Sequence, residues 1–193
     1  VPYAPRILAF AGSTREASYN KRVVRIAVVG ARAAGADVTL VDLRDFPMPL
    51  YDADLQAREG LPPNARAFKA LMLANEGLLI ASPEYNTSVS GVLKNAIDWS
   101  SRQEPGEEPL AAFAGKVAAL MSASPGALGG LRGLIHLRAI LGGIKVLVLP
   151  DQVAVMRARE AFAEDGSLKD AKQQAAVERL GAVLAATLVK LRG

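Results

Sequence analysis

Residues 7–20 read Ile7-Leu8-Ala9-Phe10-Ala11-Gly12-Ser13-Thr14-Arg15-Glu16-Ala17-Ser18-Tyr19-Asn20. Five apolar residues without alternation describe a strand covered on both faces, the habit of a parallel sheet. Gly12 ends the run and a polar loop follows. The loop leads into Lys21 to Ala34, where Val24, Ala27, Val28 and Ala31 recur at helical spacing. Gly35 is placed to close that helix, because glycine tolerates the left-handed conformation in which helices end.

The same order, apolar run and then helix, recurs down the chain. Strands are predicted at Val38–Val41, Gly77–Ala81, Lys116–Met121 and Lys145–Leu149, the last stopped by Pro150. Helices are predicted at about Asn64–Ala74, Ser90–Ser101, Gly130–Leu141 and Lys169–Leu191. The last carries an apolar stripe of Ala176, Leu180, Val183, Leu184, Leu188 and Leu191. Asp42 to Pro63 holds four prolines and reads as a long irregular excursion. Strands alternating with helices imply right-handed crossovers and a sheet covered on both faces. With no linker composition anywhere, residues 1–193 read as a single α/β domain. The expected architecture is a flavodoxin-like, five-stranded parallel sheet in the order 2-1-3-4-5 with helices on both faces.

Composition narrows the chemistry. At 193 residues a single core can bury roughly 70% of the unfolded surface. The absence of cysteine excludes disulfides, thiolate zinc and a cysteine nucleophile. One histidine, His136, argues against a histidine metal site or a Ser-His-Asp triad, so no metal is expected. A net charge of +4 favours small anionic ligands. Basic residues are dispersed among acids and aromatics are only 5%, which argues against nucleic acid. No apolar stretch approaches the ~20 residues of a membrane span, and Val1 to Arg6 lacks a signal-peptide pattern. A cytoplasmic protein without a membrane partner is expected.

Three polar loops carry the functional reading: Gly12–Asn20, Pro83-Glu84-Tyr85-Asn86-Thr87 and Ser122-Ala123-Ser124-Pro125-Gly126. They follow strands 1, 3 and 4, where an open parallel sheet of this order binds ligands. The first offers Ser13, Arg15, Ser18 and Asn20 at a helix start, a composition suited to a phosphate; N-capping by Ser18 or Asn20 is the plainer explanation. It has neither a Gly-Lys-Ser/Thr ending nor the Gly-x-Gly-x-x-Gly spacing, so a single phosphate is expected rather than a pyrophosphate. The second loop could edge a flat heterocycle or be a proline-initiated turn. In the third, small residues allow close backbone approach, or simply a flexible turn.

Together these residues resemble the NAD(P)H-dependent FMN reductases, a family that includes chromate, quinone and azo-dye reductases. Gly12-Ser13-Thr14-Arg15 with Ser18 and Asn20 is similar to the family's phosphate loop. Pro83-Glu84-Tyr85-Asn86 followed by Gly91 to Trp99 is similar to its longest motif, with Ser90 standing where proline is usual. Ser124-Pro125-Gly126 with Gly129 to Arg132 and His136 to Arg138 resembles its third segment, and Pro47–Tyr51 also fits. The resemblance implies FMN as cofactor and NADPH or NADH as co-substrate. Hydride would pass from the nicotinamide to the flavin and then to a small-molecule acceptor such as a quinone, free flavin, azo dye or chromate. It implies that Ser13, Arg15, Ser18 and Asn20, with Tyr19 between them, hold the phosphate. Pro83, Glu84, Tyr85 and Asn86 would line the ring, and Ser122, Ser124 and Gly126 would touch ring or ribityl. It implies a homodimer or homotetramer. No catalytic side chain is assigned, although Glu84 is the natural candidate. An electron carrier, or a flavin-binding module without catalysis, is the alternative; a pI of 9.5 counts against the carrier.

Overall fold

A computed structural model describes residues 3–193. Five strands, β1 (Arg6–Ala11), β2 (Asp37–Asp42), β3 (Gly77–Ala81), β6 (Val117–Ala123) and β7 (Leu147–Val155), form one parallel sheet. A short antiparallel hairpin, β4 (Glu84–Tyr85) and β5 (Ser88–Val89), stands apart from it. The helices are α1 (Tyr19–Ala33), α2 (Ala53–Glu59), α3 (Pro63–Ala74), α4 (Gly91–Ser100), α5 (Leu131–Gly143), α6 (Ala158–Ala161) and α7 (Ala171–Arg192). The sheet order is β2-β1-β3-β6-β7, which is 2-1-3-4-5 once the hairpin is set aside.

Alternate side chains of the buried strands divide the core into two layers. Ile7, Ala9, Ala11, Leu79, Ala81, Ala119 and Met121 face α1 and α7. Leu8, Phe10, Leu78, Ile80, Ala118 and Leu120 face α3, α4 and α5. Helices α1 and α7 press backbone against backbone at two glycines. A Cβ on Gly30 would lie 1.9 Å from the Glu178 carbonyl oxygen, and one on Gly181 would lie 1.9 Å from that of Ala27. The α7 stripe accordingly differs from the expected one. Val177, Gly181 and Ala185 are buried with Leu180, Leu184 and Leu188, whereas Ala176 and Leu191 are exposed.

Two further expectations are corrected. The edge strand β7 does not stop at Pro150. Its pairing to β6 jumps from Ala118↔Val148 to Leu120↔Gln152, so Pro150 sits in a bulge, where its missing N–H costs no ladder bond. Arg138 of α5 holds the bulge, donating to the carbonyls of Leu149 (2.8 Å) and Pro150 (3.3 Å) and to Gln152 Oε1 (3.0 Å). The excursion after β2 contains α2, capped by Asp52 through Asp54 N (2.8 Å) and Leu55 N (3.2 Å).

That excursion is fixed by the long motif of α4. Trp99 Nε1 and Asn95 Nδ2 both donate to the Pro49 carbonyl, at 2.8 and 2.9 Å, and Asn95 Oδ1 accepts from Tyr51 N at 2.8 Å. Trp99 is fully buried, its ring edge-on to Tyr51 with centroids 5.0 Å apart, and it belongs to the core. The segment after α4 docks on α3 through the ion pairs Lys69–Glu107 and Arg66–Glu104, with Ala112 and Phe113 buried.

Candidate functional site

The carboxyl ends of β1, β3 and β6 lie side by side, so their three loops meet. They line one cleft of about 90 Å³: Ser13, Arg15, Ser18, Tyr19 and Asn20 from the first, Pro83, Glu84 and Tyr85 from the second, Ala123, Ser124 and Pro125 from the third. The volume suits a phosphate and its first attached atoms. The segment 102–114 contributes nothing to this lining.

The first loop is a nest of donors. Ser18 is the N-cap of α1, its Oγ accepting from Asn20 N at 3.2 Å. Ser13 Oγ accepts from Arg15 N at 3.3 Å. Each hydroxyl therefore keeps its own proton to donate. Among the described residues, the N–H groups of Thr14, Glu16 and Ala17 meet no acceptor in the chain. Arg15 is exposed and makes no ion pair there. Two hydroxyl protons and a guanidinium beside a helix start are donors that can hold an anion in the cleft, whereas Thr14, Glu16 and Ala17 lie outside its lining.

Asn20 lines the cleft, but its carboxamide is engaged within the chain. Its side chain is spent on the third loop's strand: Nδ2 donates to the Ala123 carbonyl and Oδ1 accepts from Ala123 N, both at 2.9 Å. It bolts α1 to the end of β6. Ser90, the N-cap of α4, does a similar service for the first loop. Its Oγ accepts from Leu93 N at 3.2 Å and donates to the Gly12 carbonyl at 2.5 Å. The serine in place of proline thus adds a cap and a tie.

The second loop is a hairpin closed by Asn86 and Thr87, both at positive φ (49° and 67°), the conformation that matches strand twist in two-residue turns. Asn86 does not line the cleft; Tyr85 does, and it is 55% exposed. Glu84 lines the cleft with a carboxylate that is already engaged. It accepts from Arg132 N (3.1 Å), Gly133 N (3.2 Å) and Arg132 Nε (2.8 Å), and pairs with Arg132 Nη2. The N-cap of α5 is Gly130, which has no side chain to cap the helix; Glu84 caps it from across the loop. Burial alone would push the Glu84 carboxyl up. The Arg132 guanidinium and the Gly133 N–H outweigh burial and hold it below the usual carboxylate range. An ionised, saturated carboxylate is a poor proton donor or base. Arg132 and Arg138 are thereby committed to Glu84 and to the bulge.

In the third loop, Ser124 lines the cleft and its Oγ accepts from Gly126 N at 3.2 Å. Gly126 lies outside the lining, its carbonyl accepting from Arg157 N at 3.1 Å. Ser122 is fully buried and donates to the Gly129 carbonyl at 2.5 Å. Ala123 and Pro125 line the cleft without having been singled out, since neither carries a polar signal. His136 Nδ1 lies 2.9 Å from Ser88 Oγ on the hairpin, outside the cleft. Among the described residues no acidic or histidine cluster could hold a metal ion.

Comparison with known proteins gives a consistent set. The family described as NADPH-dependent FMN reductase matches residues 5–160. An NAD(P)H-dependent FMN reductase of Pseudomonas aeruginosa is 38% identical over 189 residues, covering 97% of both chains. A quinone reductase of Escherichia coli is 39% identical over 144 residues, 75% of this chain and 73% of its own. The flavoenzyme NAD(P)H:(acceptor) oxidoreductase of Paracoccus denitrificans superposes with a TM-score of 0.80 at 25% identity, covering 97% of this chain and 98% of that one.

Proposed function

The chain belongs to the NADPH-dependent FMN reductase family, and we propose that its three-loop cleft holds FMN by the phosphate. It is an FMN-dependent oxidoreductase that uses NAD(P)H. The supporting observation is the convergence of a first-loop anion cup, an exposed tyrosine hairpin and a small-residue third loop around one cleft. The donor set fits the group: hydroxyl protons and a guanidinium for a phosphate monoester, and an exposed backbone edge beside Tyr85 for a flat ring.

When bound, FMN supplies a ring that takes a hydride and passes two electrons on. The chain's own residues bind and orient. Ser13 and Ser18 donate to the phosphate and Arg15 neutralises it. Asn20 and Ser90 hold the first loop against the other elements. Glu84 fixes the hairpin to α5, so that Pro83 and Tyr85 present a constant surface to the cleft. Glu84 is not placed to move a proton, because its carboxylate is consumed by Arg132 and Gly133.

The acceptor is a small molecule, with a quinone as the proposed class. The exposed Leu131 and Ile135, one turn apart on α5, support a homodimer or homotetramer. No helix among the described residues is long and apolar enough to cross a membrane, which is compatible with work in the cytoplasm. Anaerobic mixing of FMN-loaded protein with NADPH tests the reading. Loss of the oxidised flavin's colour, regained on adding a benzoquinone, is expected. A flavin that keeps its colour under excess NADPH and NADH would leave a carrier or a binding module.

A further inference from the structure

Outside the cleft, the first turns of α1 carry a second array of cations. Tyr19 stacks on Phe162, with ring centroids 5.8 Å apart and planes 13° from parallel. The Arg15 guanidinium lies 6.0 Å from the Tyr19 centroid. Arg22, one turn further along the helix, lies 5.9 Å from Tyr19 and 5.8 Å from Phe162. Phe162 is buried, and an isolated bridge to Leu168 pins its backbone, so the platform is built rather than draped. A guanidinium resting on ring faces spends its π surface and keeps its N–H fork for an oxyanion.

Two guanidiniums flank one ring, but only Arg15 lines the cleft. Among the described residues neither makes an ion pair. Asp165 is the carboxylate that shares a cavity with Arg22, a hollow of about 230 Å³ that Arg25 also lines. Asp165 is turned to Ser167, accepting from its Oγ at 2.6 Å and its N at 3.0 Å. Arg22 is therefore a surplus cation that lines the neighbouring hollow and lies against Tyr19, a residue of the cleft lining.

We propose that Arg22, on the Tyr19–Phe162 platform, receives the 2′-phosphate of NADPH and sets a preference for NADPH over NADH. The inference rests on the reductase reading above. A dinucleotide whose nicotinamide shares space with the flavin ring must carry its remaining charges out over the rim of the cleft. Beside the first loop two arginines without an ion pair, Arg15 and Arg22, share the Tyr19 ring. NADPH differs from NADH only by that one dianionic phosphate, and an unpaired guanidinium fork suits it.

The wild-type holoprotein is titrated by calorimetry with adenosine 2′-monophosphate and adenosine 5′-monophosphate, and KM is measured for NADPH and NADH in wild type and Arg22→Ala. Tighter binding of the 2′-phosphate is expected. Arg22→Ala is expected to lower the NADPH-over-NADH selectivity roughly tenfold, the weight of one charge-assisted hydrogen bond. Equal affinity for the two adenosine phosphates overturns the proposal. An equal rise in both KM values assigns Arg22 to the pyrophosphate, and a loss of FMN affinity assigns it to the flavin; either contradicts the proposal. A wild type that oxidises neither nucleotide contradicts the reductase reading instead, and the adenosine phosphates then still decide the subsite.

Discussion

Asn20 and Ala123 lie 103 positions apart and meet as though paired in a sheet, the Asn20 carboxamide donating to and accepting from the Ala123 backbone at 2.9 Å each way. Ala123 pairs with Val155 of β7 on one side, and the Asn20 side chain completes its hydrogen bonding on the other, where the pairing with β3 has stopped at Met121. It also fixes the distance between the anion cup and the third loop. Replacing Asn20 with Ala strands a buried donor and a buried acceptor, each costing about 1–3 kcal/mol. Urea unfolding is expected to show a loss of about 2–4 kcal/mol, together with weaker FMN binding. A variant of unchanged stability would show that water replaces the carboxamide without penalty.

Arg15 is the cation of the cup. It is exposed and its guanidinium touches only the Tyr19 ring, 6.0 Å from the centroid, so Arg15→Ala is expected to change the melting temperature of the FMN-free protein little. FMN affinity should fall roughly 10- to 150-fold, the value of one charge-assisted bond of ~1.5–3 kcal/mol. Unaltered affinity by fluorescence titration would place Arg15 away from the ligand.

Glu84 ties the hairpin to α5, and its contribution depends on pH. Its carboxyl in the folded protein lies below the usual range, while in the unfolded chain it titrates near about 4.3. The tie is therefore fully present above the unfolded value and is lost as pH falls through the folded one. Glu84→Gln is expected to be less stable than wild type at neutral pH, with the gap closing in acid below about pH 4. A gap that is constant across that range would mean that the charge of Glu84 is not what holds α5.

Gly181 belongs to the scaffold that carries the cup. A methyl group there meets the Ala27 carbonyl of α1 at 1.9 Å. Gly181→Ala would be a favourable change in an isolated helix, by roughly 1 kcal/mol. Here it is expected to destabilise the protein by ~1–3 kcal/mol, the usual cost of overpacking. Thermal unfolding at or above the wild-type temperature would show that α7 shifts freely.

The fold was legible where burial leaves a local trace. Ile7–Ala11 and Gly77–Ala81 are continuous apolar runs because both faces of their strands are covered, and Gly35 closes α1 at φ 86°. Pro150 misleads because a proline reads as a stop, while the bulge that accepts it depends on Arg138, a residue of another element. The hairpin at Glu84–Val89 is too short for an alternation to register. The three loops of the site were readable from position and polarity. Which of their polar atoms face a ligand was not. Asn20, Ser122 and Glu84 look like ligand contacts in sequence, but their partners are backbone groups of Ala123, Gly129, Arg132 and Gly133, brought close only by the fold.

The central claim is that the cleft recognises a flavin through its phosphate. Fluorescence titration of the FMN-free protein with FMN and with riboflavin, which lacks that phosphate, tests it most directly. FMN is expected to saturate at one per chain. Riboflavin should bind at least about 100-fold more weakly, the loss of two charge-assisted bonds of ~1.5 kcal/mol each. Equal affinity for the two flavins would contradict the phosphate cup at Ser13–Ser18.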